Sequence, residues 1–158
     1  MPLIPTFLAQ SLQADWLPGD KDGPWHDDVQ ASADAFAGAV AGWFGGALAA
    51  GFPCATASAR KSQLMGQMIP ALQVKDAMGA GQQEALAFMA YVAGQSFGPG
   101  VAAPPIATAA AGALIGAAFA ALVQPQSARA GSIASALHLM AVSTIVALPI
   151  PPFAAPVT

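Results

Sequence analysis

With 158 residues, 56% hydrophobic and only 8% charged, the chain suits one domain but has too little polar surface to cover itself comfortably as a soluble monomer. A net charge of -3 with five basic residues leaves no basic stripe for phosphate neutralisation, which excludes nucleic acid as a partner. Cys54 is the only cysteine, so no intrachain disulfide can form.

The charge is uneven along the chain. Asp15, Asp20, Asp22, Asp27, Asp28 and Asp34 precede residue 35, opposed there only by Lys21, whereas from Ala85 to Thr158 the only formal charge is Arg129. That half is expected to be covered by copies of itself, by other subunits or by lipid. The segment MPLIPTFLAQSLQADWL lacks the basic region that opens a secretory leader, and none is expected.

In chain order, Leu3, Phe7, Leu8, Leu12 and Trp16 lie near one face at helical spacing, giving a short amphipathic arm after Pro5. Pro18-Gly19 ends it, and GDKDGPWHDD reads as an exposed acidic loop. Asp28 or Ser32 caps a helix expected from about Val29 to Ala50. Within it Gly38, Gly42 and Gly46 recur every four residues as a groove for close helix approach, flanked by Trp43 and Phe44.

After Phe52-Pro53, the run CATASARKSQLMGQMI reads as a helix with one wet face, ended by Pro70. Arg60 and Lys61 on it read as a solvated face or as partners of the acidic loop. Residues 71–83 are an amphipathic segment or loop, and Glu84 to Gln95 are helical. FGPGVAAPP reads as a rigid irregular connection.

Ile106 to Val123 follows, eighteen uncharged residues entered through Pro104-Pro105 and containing Gly112 and Gly116. Ser127 or Ser132 starts the last helix, with Ile133, Leu137, Met140 and Thr144 in a stripe. VSTIVALPIPP continues as helix to Ala147 or switches to an extended segment near Ala141; its residues do not separate the two. The tail PIPPFAAPVT is expected to lie extended on a neighbour. An echo between AAGFPCATASARKSQLM and ALVQPQSARAGSIASAL reads as chance, with no sustained repeat period.

Motifs for chemistry are sparse. GQSFG places Ser96 in the G-x-S-x-G form of a nucleophile elbow, but no Asp or Glu follows Glu84, so His138 has no downstream acidic partner. His26 with Asp22, Asp27 and Asp28 lacks a second histidine at ligand spacing and reads as a solvated loop. His138, between Leu137 and Leu139, reads as a core or interface histidine bonded to backbone or a serine. Neither catalytic residue, cofactor nor metal site is expected, and the chain reads as a non-enzyme.

The run 106–123 is long enough to span a bilayer, but alanine and glycine contribute little to insertion and its flanks lack basic or aromatic anchors. Small residues suit helices packed backbone-close against protein. The expected fold is mainly α, a compact Ala-rich helical bundle with Pro-rich connections. It forms a single domain over 1–158, with an arm at 1–17, an acidic loop at 18–28, a helical core at 29–148 and a tail at 149–158.

The segments AGAVAGWF, FPCATASARKSQL, AYVAGQSFGPGVAAPP and ALHLMAVSTIVALPIPPF together resemble small Ala/Gly/Pro-rich structural proteins of tailed phages and phage-like contractile injection systems. The resemblance implies a structural subunit of a symmetric particle, located in the virion or phage-like particle, partnered by its own copies or other subunits. Interface and packing roles are expected for Trp16, Trp43, Phe44, Phe97 and Phe153, with Gly38, Gly42, Gly46, Gly112 and Gly116 allowing close approach. The alternative is a small membrane-embedded helical bundle serving as an accessory subunit.

Overall fold

A computed structural model describes residues 3–17 and 26–158, so residues 18–25 of the expected acidic loop lie outside what is described. The chain is mainly helical, and its elements repeat three times as helix, helix, β-hairpin. The first unit comprises α1 (Pro5–Ser11, extended by a π-helical turn to Trp16), α2 (Val29–Phe44) and the hairpin of β1 (Leu48–Ala49) and β2 (Phe52–Pro53). The second comprises α3 (Lys61–Leu72), α4 (Ala77–Val92), β3 (Ser96–Phe97) and β4 (Gly100–Ala102). The third comprises α5 (Thr108–Ala120), α6 (Gln126–Val142), β5 (Ile145–Ala147) and β6 (Ala154–Pro156).

The N-caps of α2, α4 and α6 are Asp28, Asp76 and Pro125, 48 and then 49 residues apart. In the first two units the cap carboxylate accepts from the backbone three residues on, Ala31 N at 2.7 Å and Gly79 N at 2.6 Å. In the third, proline supplies the extended backbone that precedes a first turn. Neighbouring helices pack in chain order and α1 closes against α6, making a ring of six.

The hairpins form a second ring at one end. Strands β3 to β6 pair antiparallel in order, and β1 pairs β2. The two sheets are joined on both sides, by the Cys54–Phe97 bridge and by the reciprocal bonds of Leu48 and Thr158 at 3.0 and 2.8 Å. The same bond recurs in each hairpin: Cys54 N to Ala47 O, Ala102 N to Gln95 O and Val157 N to Thr144 O, at 3.0, 2.9 and 3.1 Å. Ring closure satisfies both edges of every hairpin, which are otherwise templates for pairing with another chain. Inward residues Ala49, Cys54, Phe97, Ala102, Val146, Ala155 and Val157 are buried.

Turn chemistry explains the hairpins. Ala50 and Gly51 both take positive φ, 50° and 84°, as a type I′ turn requires, and Gly98 at φ 56° opens the turn of the second. By sequence alone these stretches read as helix end and irregular connection. Thus α2 stops at Phe44 rather than Ala50, and FGPGVAAPP supplies a hairpin strand rather than only a linker.

Other boundaries shift as well. The helix carrying the wet face starts at Lys61 and continues through Pro70 to Leu72, because a proline in the last turn removes only one internal bond. Ala77 to Gln83 belong to α4, which therefore starts about two turns before Glu84. α6 starts at Gln126 rather than at a serine, and the 142–148 run takes the extended alternative as β5. The tail is not a free extended arm: β6 pairs with β5, and Thr158 with Leu48. The sequence echo aligns the start of α3 with the start of α6, which are not equivalent places in the repeat.

The opening ambiguity over residues 106–123 resolves into the thirteen residues of α5. At 1.5 Å per residue it is about 20 Å long, against about 30 Å of hydrocarbon. Among the described residues no helix is long and apolar enough to cross a membrane.

Phe44 ties the two rings together. It meets Phe88, Tyr91 and Phe97 edge-on, with ring centroids 6.0, 5.7 and 6.3 Å away. At the opposite end Trp16 packs edge-on against Phe36 at 4.9 Å and Phe119 at 6.3 Å, and its indole N–H donates to Ser32 Oγ at 2.9 Å.

Candidate functional site

The residues expected at interfaces divide sharply. Trp16, Phe44 and Phe97 are buried within the chain, and Trp43 is half-buried with its indole N–H donating to Ile4 O at 3.1 Å. These four therefore hold the fold together. Phe153 is 63% exposed.

The glycines divide too. Gly42 and Gly46 face solvent, nothing lies within 4 Å of a Cβ placed at Gly42, and at Gly38 only the Lys61 side chain comes near. The expected groove on α2 therefore packs no helix of this chain. The close approach is at Gly112 and Gly116 of α5, against Gly81 of α4. A Cβ on Gly81 would lie 2.6 Å from both Gly112 O and Gly116 Cα, distances no real contact tolerates. Gly81 carries no such signal in the sequence, where residues 71–83 read as an amphipathic segment or loop.

Arg60 and Lys61 are structural. Lys61 Nζ pairs with Asp34 Oδ1 at 2.8 Å across α3 and α2, a half-exposed ion pair of small value. Arg60 donates to Ala93 O at 2.6 Å and Ala90 O at 3.2 Å, satisfying carbonyls at the end of α4. Arg60→Ala is expected to cost about 1–3 kcal/mol in urea unfolding, the loss of charged hydrogen bonds at a helix end.

The motif residues do not assemble. Ser96 begins β3 after a helix, not at a strand-to-helix turn, and its N–H is held by Thr56 Oγ1 at 2.9 Å. His138 packs edge-on to Trp43 at 6.3 Å; its Nδ1 is buried without a partner, contrary to the expected bond, and burial lowers its pKa. Asp28 is occupied as the α2 cap, and Asp22 lies outside the described residues. Among the described residues no three metal-ligating side chains converge.

Two features remain that packing alone does not use. The first is the outer face of strands β4 to β6. Val101 pairs with Ala147 and Ala147 with Ala154 in one row, Ile145 with Pro156 in the next. All five face outward, Val101 52% and Ile145 44% exposed, and the exposed Ile150 and Phe153 lie in the adjoining loop. These residues form an uncharged apolar surface on the outside of the strand ring.

The second is Glu84. It is fully buried, both carboxyl oxygens lack partners, and burial raises its pKa to about 8. Its equivalents in the other two units, by the 48- and 49-residue offsets of the N-caps, are Phe36 and Ile133, both buried and apolar. The fold thus has no need of a carboxyl here. Glu84 lines a cleft of about 380 Å³ with Leu72, Phe119 and Leu122, and with Lys75 and Arg129. Arg129 is held there by Ala118 O and Gln126 Oε1, each at 3.0 Å. Sequence reading took Glu84 only as the start of a helix; burial by a non-local partner, Phe119 of α5, has no local signature. A scan against family models finds no match to this chain, and neither curated proteins nor solved structures match it significantly.

Proposed function

We propose that the protein is a non-enzymatic structural subunit of a larger multi-subunit particle, of the phage or phage-like type, and that it packs against its neighbours through the outer face of β4 to β6. The observation that carries this reading is the pair of apolar rows Val101–Ala147–Ala154 and Ile145–Pro156 on a surface without a charge. Because the strand ring is closed, association through this end uses side chains rather than added strands. Small and branched apolar side chains on a closed, hydrogen-bonded ring lose little conformational entropy on docking.

The double variant Val101→Lys, Ile145→Lys places two charges on that face without touching the buried side of the ring. It is expected to keep the far-ultraviolet circular dichroism of the parent and to shift its mass in light scattering from assemblies towards the monomer. Association unchanged by both charges would sink the assignment of this face.

A further inference from the structure

The outer wall of the third helix pair differs from the other two. Large apolar side chains are exposed on α5, α6 and their connections at Ile106, Leu114, Leu122, Val123, Leu139 and Val142, against only Phe7, Met78 and Leu86 on the first two pairs. Equivalent exposed positions change character in step. The offset of 47 residues that sets Met68 of α3 against Ile115 of α5 also sets Ser62, Gln63 and Gln73 against Ala109, Ala110 and Ala120. Both pairs fold the same way, so the loss of polar groups from the third wall is not a demand of the fold. Between α5 and α6 runs an open groove of about 570 Å³, lined by Leu114, Ala117, Ala128, Gly131, Ser132 and Ser135 among others. A Cβ on Gly131 would meet nothing within 4 Å. Both serines are already satisfied, Ser132 Oγ donating to Ala128 O at 3.1 Å and Ser135 Oγ to Gly131 O at 2.8 Å, so covering them orphans no donor.

Charge selects what can cover this wall. Among the described residues no charged side chain lines the groove, and Arg129, the one charge of the third unit, lies in the cleft beside Lys75 instead. The other walls carry exposed charges, Asp15 and Asp34 on the first unit and Lys75 and Asp76 on the second. Pressed against the groove, such a wall would lose the water around its charges and find no counter-charge. We propose that the groove is the contact of a closed dimer, in which the α5–α6 wall of one copy packs on the α5–α6 wall of a second about a two-fold axis, with Leu114 of each seated in the groove of the other. An uncharged face is matched by an uncharged face, and a two-fold contact pairs a surface with itself. This contact is on the side of the helix ring, away from the outer face of the strand ring, and stands independently of the assignment made for that face.

The test is sedimentation of the full chain carrying Val101→Lys and Ile145→Lys, which takes the strand face out of play. It is expected to give one species of twice the 15.7 kDa chain mass, with monomer on dilution and nothing larger. Adding Ser132→Lys brings a lysine from each copy into the uncharged contact and is expected to raise the dissociation constant about a hundredfold. Ala117→Lys repeats that loss from the α5 side of the groove. Gln83→Lys, at the exposed position of α4 that lies 49 residues before Ser132, is expected to leave the dimer intact. Far-ultraviolet circular dichroism unchanged across the set makes the comparison one of association alone. Monomer at every concentration before the groove is altered, growth beyond the dimer, or equal effects of Ser132→Lys and Gln83→Lys would each overturn the proposal. So would monomer that floats with neutral phosphatidylcholine vesicles, which would assign the wall to lipid.

Discussion

Glu84→Leu is expected to stabilise the protein, and by more as pH rises. In the folded chain the carboxyl is pushed up to about 8 from an ordinary value of 4.5 by burial. Below the lower value both folded and unfolded states hold the proton, and no ionisation penalty applies. Between the two values only the folded state holds it, so stability falls with rising pH by about 1.4 kcal/mol per unit. Above the upper value the loss is complete, on the order of several kcal/mol.

Leucine removes that slope and fills a position whose equivalents, Phe36 and Ile133, are apolar. It also removes a buried group with no partner, worth about 1–3 kcal/mol at any pH. Urea unfolding of parent and variant at about pH 5 and pH 9 measures both effects. A gap between them that does not widen with pH would show that Glu84 ionises freely in the folded chain.

Gly81→Val is expected to be the most damaging single change, costing more than about 3 kcal/mol or preventing folding. The added atoms meet the backbone of Gly112 and Gly116, and backbone cannot step aside as a side chain can. α4 and α5 would have to separate along the face that buries Ile115 and Phe88. Gly42→Ala provides the contrast. Its Cβ meets nothing within 4 Å, and alanine in a helix interior is favoured over glycine by about 0.5–1 kcal/mol. Thermal unfolding of the two variants should therefore move in opposite directions.

These sites show how far the sequence could be read. The helices were legible wherever an apolar stripe ran long enough, as at Ala33, Phe36, Ala37, Val40 and Phe44 of α2, or where a carboxylate capped the first turn, as at Asp28. The hairpins were not, because each strand is two or three residues long and carries no alternation to detect. Their signal lay in the turns, Ala50-Gly51 and Gly98-Pro99, which read equally well as helix ends and linkers.

The threefold repeat was hidden for a related reason. Equivalent core positions hold different apolar residues: Leu12, Met68 and Ile115 face inward from α1, α3 and α5, while Trp16, Leu72 and Phe119 ring the end near Glu84. Apolar character is kept at these positions and identity is not, so the repeat leaves no sustained period in the sequence. The glycine motif was legible as a device for close approach but not as to which stripe would use it. Gly112 and Gly116 found a third glycine opposite, whereas Gly38, Gly42 and Gly46 did not.

The outer face of the strand ring was foreshadowed by the near absence of charge after Glu84, though not its location. Part of that uncharged segment is the buried core of the helix ring, in Ile115, Ile133, Leu137 and Met140. The large apolar residues that remain exposed fall both on the hairpins and their loops, at Val101, Ile145, Ile150 and Phe153, and on the helices and their connections, at Ile106, Leu114, Leu122 and Val123.

The most direct measurement is sedimentation of the unaltered protein, without detergent, across a wide range of concentration. A structural subunit with this face is expected to sediment as discrete assemblies several times the 15.7 kDa chain mass, giving way to monomer only on dilution. A single species of 15.7 kDa at every concentration would contradict the account.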